Sequence, residues 1–419
     1  MQRLFHLAGR PAPKSFLGGI DSRADRMFFC EMMDRDTQIA VIGAGLGGLT
    51  AAALLQRDGF RVTVFEQAET FSRIGAGIIL SANVTKSLRP LGLEPFLLRA
   101  GIKADSFVSR AWDTGEILYE IFFDATAEAH FGAPYLNIHR GDLHAILESA
   151  VDPSSIRLGY SLRHIDQCDN SVRLTFENGE KVETNIVLGA DGIRSRVREH
   201  VLGSEPPRFV GRVAQRAIFP ATRLRGYQMR DCTKWWAPDR HILTYFLTSR
   251  RDEVYVIGTV PASGWYSESA WLPSSRDELV TSFKNFHKDL CRVVEAAVDV
   301  TLWPIYDRDR NDVWSAGRAV LMGDACHPVR PYMAAGGAMA IEDAVILTRC
   351  LTRFDEVSQA FAAYEATRIP RVAEVQRVSF ENSWMHGPTD PGWFFCYDPW
   401  VTPLSEPAAA GSRPTAQAS

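Results

Sequence analysis

One stretch of the sequence, residues 37–67, limits the possible folds more than any other. The apolar run Ile39–Ile42 is short and β-branched enough to predict a buried parallel strand. A Gly-x-Gly-x-x-Gly turn follows at Gly43–Gly48, and then an Ala/Leu-rich segment of helical composition. The alternating run Arg61–Phe65 predicts a second strand that ends at the acidic residue Glu66. This order of strand, glycine turn, helix, strand and acid is typical of a dinucleotide-binding fold.

Each glycine of the turn has its own task in such a fold. Gly43 allows the tight turn, Gly45 lets the backbone approach a pyrophosphate, and Gly48 lets the helix pack close to the strand. The helix N-terminus then offers free N–H groups and a positive dipole end to the phosphates. Glu66, roughly 20 residues further on, is placed to accept hydrogen bonds from an adenosine ribose. We therefore predict dinucleotide binding here, against the alternative of a turn that is merely rich in glycine.

Length and composition exclude several other classes of protein. The 419 residues allow two domains with proper cores, and the net charge of −4 offers no electrostatic footprint for nucleic acid. No apolar run approaches the roughly 18–20 residues that a membrane span requires. The seven cysteines are scattered and form no CxxC pair, which argues against a disulfide framework or a metal site. We expect a cytoplasmic protein, as a monomer or homodimer.

The two ends of the chain do not share the patterns of the rest. Residues 1–36 contain no continuous apolar segment and no cleavage site of a signal peptide, and Met32 and Met33 directly precede the first strand. We expect this extension to be disordered or to lie upstream of the true start. In the C-terminal segment, residues 381–419, the Pro/Ala/Ser-rich tail after about Pro399 is expected to be disordered.

Three further segments between residues 73 and 205 could contact a ligand. The glycine-rich turn Arg73–Ile79 lets the backbone pass close to a ligand, or it is a simple loop. Arg140 lies where a strand runs into an amphipathic helix, so that it could reach a phosphate or form a surface salt bridge. The buried strand Asn185–Gly189 places Asp191 at its carboxyl end, where ligands bind in open α/β sheets.

The composition changes at about residue 206 and changes back at about residue 309. Residues 206–308 contain alternating strands and many aromatic residues, which predicts a mostly antiparallel sheet that encloses a ligand. The dinucleotide-binding pattern then resumes with a strand, the turn Gly323–Pro328 and a glycine-rich entry to a helix. We predict an α/β fold with a discontinuous dinucleotide-binding domain at residues 37–205 and 309–380 and a substrate-binding domain at residues 206–308.

Three motifs in this order carry a family resemblance. They are Gly43–Gly48 with Glu66, then Gly189–Gly192, and then Gly323–Pro328. Over residues 38 to about 380 the chain resembles the class A flavin-dependent aromatic hydroxylases, the family of the salicylate and para-hydroxybenzoate hydroxylases. The resemblance implies a Rossmann-like FAD-binding domain with an inserted substrate-binding sheet and C-terminal helices. It also implies FAD as the cofactor, with O2 and NAD(P)H, NADH being favoured, as co-substrates.

Within the family, the chain is most similar to hydroxylases of a hydroxylated pyridine carboxylate such as 6-hydroxynicotinate. The segments that carry this likeness are Ile138–Leu147, Lys234–His241, Met339–Leu351, Trp384 and Trp393–Asp398. The resemblance implies hydroxylation of the ring, with loss of CO2 when the attacked carbon bears a carboxylate. Two alternatives are a salicylate-type hydroxylase of a hydroxybenzoate and an FAD-binding protein without hydroxylase activity.

The resemblance also assigns residues to FAD. The residues that would hold its ADP half are Gly43, Gly45, Gly47, Gly48, Glu66, Gln67 and Arg140, with Leu162 contributing backbone only. Asp191 would help to bind the pyrophosphate, and Asp324 would accept hydrogen bonds from the ribitol. The N–H groups of Gly336, Gly337 and Ala338 would face the pyrimidine end of the flavin, where a helix N-terminus stabilises negative charge.

The substrate pocket is assigned in the same way. Cys232, His241 and Tyr245 match the spacing of pocket residues in the hydroxynicotinate enzymes, while two histidines expected in the pocket are replaced by Ile79 and Tyr332. The exact substrate could therefore differ.

His241 and Tyr245 are the candidate catalytic residues, because either could take or orient the proton of the ring hydroxyl. Four residues apart on a strand, they share one face. The alternative is that both are ordinary core residues. Arg216 and Arg330 are candidates to bind the substrate carboxylate.

Overall fold

The computed structural model describes residues 33–73 and 76–406. The predicted N-terminal extension therefore lies outside the described residues except for 33–36, where the Met33 side chain is buried. Residues 74–75 of the second glycine turn and residues 407–419 of the predicted tail also lie outside them.

The described strands, in chain order, are β1 (Gln38–Ile42), β2 (Arg61–Glu66), β3 (Gly77–Leu80), β4 (Ile102–Lys103), β5 (Ser106–Ala111), β6 (Ile117–Phe122), β7 (Leu136–His139), β8 (Ile156–Leu158), β9 (Leu162–Gln167), β10 (Val172–Phe176), β11 (Lys181–Thr184), β12 (Ile186–Gly189), β13 (Arg208–Pro220), β14 (Cys232–Trp236), β15 (His241–Phe246), β16 (Glu253–Pro261), β17 (Leu272–Pro273), β18 (Thr301–Asp307), β19 (Ser315–Ala316) and β20 (Ala319–Leu321).

The described α-helices are α1 (Leu46–Arg57), α2 (Ala82–Leu88), α3 (Glu94–Ala100), α4 (Ala125–Phe131), α5 (Arg140–Glu148), α6 (Arg196–Leu202), α7 (Arg276–Phe283), α8 (Lys288–Glu295), α9 (Gly336–Arg353), α10 (Val357–Glu381) and α11 (Gly392–Phe395). No helix of the described residues is long and apolar enough to cross a membrane.

A six-stranded sheet forms the centre of the dinucleotide-binding part. Its strand order is β19-β20-β12-β1-β2-β8, and every pair in it is parallel except β19 with β20. The inner strands β1 and β12 are almost wholly buried, as expected for apolar runs that helices or other layers cover on both faces. The strand–turn–helix–strand prediction for residues 37–67 is confirmed, and so is the α/β fold class.

Two small sheets flank this core. Strands β9, β10 and β11 form an antiparallel sheet, in which the hairpin between β10 and β11 turns at Gly179, with φ of +87°. Strands β3, β7 and β4 form the other small sheet, in which β3 follows the second glycine turn. The predicted passage from a strand into a helix at Arg140 is confirmed, since β7 ends at His139 and α5 begins at the next residue.

An eight-stranded sheet forms the second layer, in the order β17-β18-β13-β16-β15-β14-β5-β6. It is antiparallel except where β14 runs parallel to β5. Its outer face packs on α7 and α8, where Phe283 reaches Gly258 and Ile242. Because β5 and β6 come from residues 106–122, the predicted limits of the substrate-binding domain, 206–308, leave out two strands of its sheet.

The C-terminal helices α9 and α10 are held together by a buried ionic network. Arg368 on α10 donates to Asp343 (2.7 Å) and Glu342 (2.7 Å) on α9, and all three side chains are fully buried. The segment after α10 is also held to α9. Arg349 on α9 donates to the carbonyl groups of Pro399 and Thr402, the latter at 2.8 Å. Disorder from about Pro399 is therefore the wrong prediction for residues 399–406, which pack against α9.

Candidate active site

The glycine turn after β1 has the stereochemistry that its sequence predicts. Gly43 has φ of +101°, and a Cβ on it would lie 2.5 Å from the carbonyl oxygen of Ala190. A Cβ on Gly48 would lie 2.0 Å from the carbonyl oxygen of Gly43. A Cβ on Gly45, in contrast, would meet no described atom within 4 Å. Gly43 and Gly48 are therefore required by the protein itself, whereas Gly45 borders open space.

Two helix N-termini meet at this turn. Helix α1 begins at Leu46 and α9 begins at Gly336, and neither has a side-chain cap. A Cβ on Gly337 would lie 3.5 Å from Cδ1 of Leu46, which shows that the two ends are neighbours. Their first-turn N–H groups lack intrahelical partners, so that together they form a site for negative charge. Gly336, Gly337 and Ala338 form the first turn of α9.

Glu66 is fixed at the end of β2. Its Oε2 accepts a hydrogen bond from Ala44 N of the glycine turn (2.9 Å), and its Oε1 accepts one from Ala68 N (2.9 Å). Each carboxylate oxygen still has a lone pair for a hydroxyl group. The carboxylate is therefore held beside the turn, in the position that a ribose-binding acid needs.

Gln67 and Leu162 lie on either side of the same corner. The loop before β9 is bonded to the end of β2, since Tyr160 N donates to the Glu66 carbonyl (2.8 Å) and Gly159 N to the Ala68 carbonyl (3.0 Å). Gln67 is exposed, and Leu162, the first residue of β9, has a buried side chain. Leu162 is thus limited to backbone contacts, while Gln67 is free to contact a ligand.

Arg140 and Asp324 face each other across the cleft. Arg140 opens α5, and Asp324 lies 3.9 Å from the Cβ position of Gly336 at the start of α9. Both side chains are exposed to the cleft yet surrounded by protein, and this desolvation lowers the pKa of Arg140 and raises the pKa of Asp324. Their mutual attraction acts in the opposite direction on each pKa. The cleft therefore has a donor fork on one side and a hydroxyl-binding carboxylate on the other.

One carboxylate oxygen of Asp191 is bound by the start of α6, and the other has no partner among the described residues. Its Oδ2 accepts hydrogen bonds from the backbone N–H groups of Arg196 (2.7 Å) and Val197 (3.2 Å) at the start of α6. Its Oδ1 is buried without a hydrogen-bond partner among the described residues, and burial raises the pKa of this carboxyl group. Because buried polar atoms are normally paired, Oδ1 is an atom for which a ligand is the expected partner.

The turn that presents Asp324 is held by residues that the sequence interpretation did not identify. Asp343 Oδ2 accepts from Gly323 N (2.9 Å) and contacts His327 Nε2 (2.7 Å), while its Oδ1 accepts from Arg368 (2.7 Å). These contacts lower the pKa of Asp343 to about 2, against the opposing effect of burial. The paired acids Glu342 and Asp343 inside an apolar helix were the sequence signal for such a network.

Taken together, the cleft fits FAD. It combines space over Gly45, two uncapped helix ends, an acid at the ribose position and the unpartnered Oδ1 of Asp191. These are the features that a pyrophosphate flanked by two hydroxyl-rich groups requires.

A cavity lies between this cleft and the eight-stranded sheet. Its polar and aromatic walls include Tyr135, Lys234, His241, Tyr332 and Trp384. Ala334, two residues before α9, also lines it, and so the cavity adjoins the helix end assigned to the flavin ring. Three of the predicted pocket residues, Ile79, His241 and Tyr332, share this cavity.

Cys232 and Tyr245 lie behind the cavity wall instead of in it. They are paired across β14 and β15, and both are almost fully buried. Burial raises the pKa of Tyr245 well above its usual value, so that the phenol stays protonated. Its hydroxyl would lie 2.5 Å from a Cβ on Gly77, which explains why the second glycine turn ends in glycine there. The structure therefore places His241, and not Tyr245, in contact with the cavity.

His241 is neutral in this environment. Burial, with the positive charges of Lys234 and Arg212, lowers its pKa well below 6.5. Its Nδ1 lies 3.3 Å from Nδ2 of Asn382, and its ring meets the Tyr332 ring edge-on at 5.1 Å. Nε2 makes no protein hydrogen bond among the described residues, so this nitrogen is available to a ring substituent.

The two arginines suggested for the substrate carboxylate do not line the cavity. Arg330 is bound to the buried Asp307 (2.6 Å) and lies over the Phe380 ring, which commits its charge elsewhere. Arg216 lies over the Trp303 ring, 4.8 Å from its centroid, and its charge acts on Arg140. Arg330 was thus the wrong candidate, and Arg216 belongs to the wall near the FAD cleft.

The cation that does line the cavity is Lys234. It was missed although it lies in one of the segments that carry the family resemblance. The signal was its spacing, because Lys234 is two residues from Cys232 and two from Trp236 and so shares their inward face on β14.

Comparisons with known proteins agree with this geometry. The family model for the FAD binding domain matches residues 36–379. The 6-hydroxynicotinate 3-monooxygenases of Bordetella bronchiseptica and Pseudomonas fluorescens are 45% and 44% identical to this chain, covering 89% and 90% of it and 98% of each relative. A solved salicylate hydroxylase substrate complex shares the fold, with a TM-score of 0.75 and 22% identity over 87% of this chain and 96% of that one.

Proposed function

This chain belongs to the FAD binding domain family as a flavin-dependent monooxygenase, and we propose that it hydroxylates, with decarboxylation, a hydroxylated pyridine carboxylate. The model substrate is 6-hydroxynicotinate, on which the two relatives are named to act. The observation that carries the proposal is the cavity beside the N-terminus of α9, whose walls hold His241 and Lys234 among aromatic side chains.

FAD, when bound, supplies the transfer of electrons from NAD(P)H and the activation of O2. The residues of this chain have the other tasks. The first turn of α9 would offer its N–H groups to the pyrimidine end of the flavin, Asp324 would accept hydrogen bonds from the ribitol, and Arg140 would help to hold the ADP half. The aromatic and apolar walls of the cavity exclude water from the reacting ring.

His241 is the residue we propose for the ring hydroxyl. The substrate ring must be electron-rich to take up oxygen. Its electron density rises when the proton of its hydroxyl group is transferred to, or shared with, a base of the protein. The free Nε2 of a neutral imidazole can accept that hydrogen bond in the tautomer that has its proton on Nδ1, and the amide oxygen of Asn382, which has no other partner among the described residues, can accept from Nδ1 once the amide is turned over. Tyr245, whose phenol stays protonated behind the wall, supports the strand on which His241 lies.

Two histidines expected in the pocket are replaced by Ile79 and Tyr332. A close analogue of 6-hydroxynicotinate is therefore as good a candidate substrate as 6-hydroxynicotinate itself. Both positions line the cavity, where one is now a hydrocarbon and the other a phenol. A hydroxybenzoate would be the substrate instead if the protein makes no contact with the nitrogen of a pyridine ring. We also propose a monomeric or homodimeric state, and a cytoplasmic location, the latter supported by the unpaired cysteines among the described residues.

The test is NADH oxidation by the FAD-loaded protein, with CO2 release, across hydroxypyridine and hydroxybenzene carboxylates. We expect fast oxidation with stoichiometric CO2 on a hydroxypyridine acid. Fast oxidation without CO2 would remove decarboxylation from the proposal. Stimulation only by hydroxybenzoates would replace the pyridine ring by a benzene ring, and no stimulation by any ring acid would refute the proposed substrate class.

A further inference from the structure

Lys234 lies in the middle of β14 with its side chain on the inward face of the eight-stranded sheet. The residue is 4% exposed, and Cys232 and Trp236 flank it on the same face. Its Nζ donates to the carbonyl oxygen of Tyr332 (2.9 Å) and lies 3.8 Å from the centroid of the Trp236 ring. The ammonium group is thus held in place from two sides at the cavity wall.

This ammonium group has no carboxylate partner within salt-bridge distance among the described residues. The ionisable groups that act on it or on its neighbours are Cys232, His241, Tyr135, Tyr332 and Arg212, together with Asp231 beside Cys232 and Asp307 beside Tyr332. The two carboxylates are paired with Arg251 and Arg330, and burial raises the pKa values of Cys232, Tyr135 and Tyr332, so that these three groups are neutral at pH 7. Arg212 is itself positive, with its guanidinium bonded to the Asp239 carbonyl.

A buried charge without a counter-ion is unusual, because its desolvation is not compensated. Burial accordingly lowers the pKa of Lys234 to about 7. An ammonium group carries three N–H donors, and the Tyr332 carbonyl accepts only one of them. The remaining donors and the charge are therefore available to a ligand in the cavity.

A second polar atom at this wall also lacks a partner. The hydroxyl oxygen of Tyr332 is buried without a hydrogen bond among the described residues, and Tyr332 lines the same cavity. The hydroxyl belongs to the residue whose carbonyl accepts from Lys234, and a phenol donor together with an ammonium group is suited to the two oxygens of a carboxylate. His241, whose ring lies 5.1 Å from that of Tyr332, is then left for the ring hydroxyl.

We propose that Lys234 is the anion-binding residue of this cavity, and that its ammonium group pairs with the carboxylate of the aromatic substrate while the Tyr332 hydroxyl contacts the second oxygen. The inference deepens the proposed function and rests on it, because it names the residue that selects a ring acid over an uncharged ring. It replaces Arg330, whose charge is taken by Asp307.

The experiment compares the wild-type holoenzyme with Lys234→Met, which keeps the length of the side chain and removes its charge, and with Lys234→Arg. Lys181→Met on the exposed hairpin strand β11 is the matched control. Binding of 6-hydroxynicotinate, salicylate and 2-hydroxypyridine is followed by the change in flavin absorbance. 2-Hydroxypyridine keeps the ring and the hydroxyl group of the first acid but lacks its carboxylate.

We expect Lys234→Met to weaken binding of the acid by at least about 30-fold, as for loss of one partner of a buried charge pair, and to leave binding of 2-hydroxypyridine within about threefold. Lys181→Met should match the wild type with all three probes. Equal loss for the acid and the uncharged ring would overturn the proposal, because it would mean that Lys234 only supports the cavity wall. So would unchanged affinity for the acid.

The pH dependence of affinity for the ring acid is a second test. It would not change with the charge of residue 234 if Lys234 only supported the cavity wall. Wild-type affinity for the acid should fall as pH rises above about 7, because Lys234 loses its proton in that range. The Arg variant, which stays charged, should show no such fall, and the Met variant should be weak throughout. His241 does not titrate there, since its pKa lies far lower, and the tyrosine and cysteine pKa values lie higher.

Failure of the reaction and failure of the inference can be told apart. If the wild type binds the acid in a Lys234-dependent way but oxidises no NADH in response, the proposed reaction is wrong and the anion site stands. If the wild type oxidises NADH with the acid and Lys234→Met does so with the same KM, the reaction stands and the anion site is refuted. If the wild type binds neither ring acid, the carboxylate assignment is refuted.

Discussion

Replacing Gly48 and Gly45 by alanine separates what the protein needs from the glycine turn from what FAD needs. A Cβ on Gly48 would lie 2.0 Å from the Gly43 carbonyl oxygen, so that α1 and the turn must separate by about 1.4 Å to reach ordinary contact at 3.4 Å. Both partners are backbone, and no rotamer change relieves the contact. Overpacking costs about 1–3 kcal/mol, and a contact this close between backbone atoms belongs at the upper end, about 3 kcal/mol. The helix propensity of alanine returns about 1 kcal/mol, so we expect Gly48→Ala to lower the free energy of unfolding of the apoprotein by about 2 kcal/mol.

Gly45→Ala should leave the stability of the apoprotein almost unchanged and weaken FAD binding. The residue has φ of −73° and ψ of −177°, a conformation that alanine adopts freely, and no described atom lies within 4 Å of the added Cβ. The apoprotein should therefore keep its stability within about 1 kcal/mol. The Cβ would intrude on the pyrophosphate, and loss of one charge-assisted hydrogen bond, about 1.5–3 kcal/mol, weakens FAD binding by at least about tenfold.

Two assays check the pair. Urea unfolding of the apoproteins measures stability, and quenching of flavin fluorescence on titration measures FAD affinity. Gly45→Ala that binds FAD as tightly as the wild type would refute the assignment of the space over Gly45 to the pyrophosphate. Gly48→Ala with wild-type stability would refute the steric argument itself.

Three further variants test the rest of the site. Asp324→Asn should weaken FAD binding about tenfold in fluorescence titrations, because an amide accepts hydroxyl hydrogen bonds less well, while the apoprotein is no less stable, since burial already disfavours the carboxylate. Arg368→Met should lower the free energy of unfolding by about 3 kcal/mol in urea, since it removes the cation that two buried carboxylates share, while Asp343 keeps His327 and Glu342 keeps Arg371. In the wild type, acid unfolding should show the Asp343 contribution, which is complete above the ordinary pKa of 3.8 and is lost as pH falls towards 2. Tyr245→Phe should leave the pH profile of kcat unchanged, because the phenol does not titrate in the working range, and a lost basic limb would contradict this.

The FAD cleft was predictable because its determinants are local. The positive φ of Gly43 and the contact of Gly48 with the Gly43 carbonyl follow from six adjacent positions, and the acid at the end of β2 follows from the strand after the helix. Such stereochemistry is the same in any fold that uses the turn. The positions assigned to FAD remain predictions until binding is measured, but the elements that carry them formed where the sequence placed them.

The cavity was less predictable because its walls come from distant parts of the chain. Ile79, Tyr135, Lys234, Tyr332 and Trp384 are brought together by strand pairing and by packing of the C-terminal segment. Alternation along a strand gives the face of each residue but not its depth. The addition of β5 and β6 to the sheet had no local signal at all, because it depends on a parallel pairing with β14.

Tyr245 and Lys234 show how register decides between wall and support. Both point to the same inward face, yet Tyr245 pairs with Cys232 behind the wall, and Lys234 lies nearer the cavity beside Leu243. A difference of two pairs along the ladder separates a residue that lines the cavity from one that lies behind its wall. No pattern in a single sequence contains that distance.

The energetics of Lys234 give the last argument for a binding role. A lysine whose pKa falls from 10.5 to about 7 on folding destabilises the folded protein by an amount of the order of 5 kcal/mol at neutral pH. Because the folded pKa is the lower one, the cost is complete below pH 7, shrinks as pH rises from 7 to 10.5, and is absent above that. A side chain kept only for packing would be better replaced by methionine, which carries no such cost. A lysine that destabilises its own protein, and whose charge an anion in the cavity would compensate, is what the proposed anion site requires.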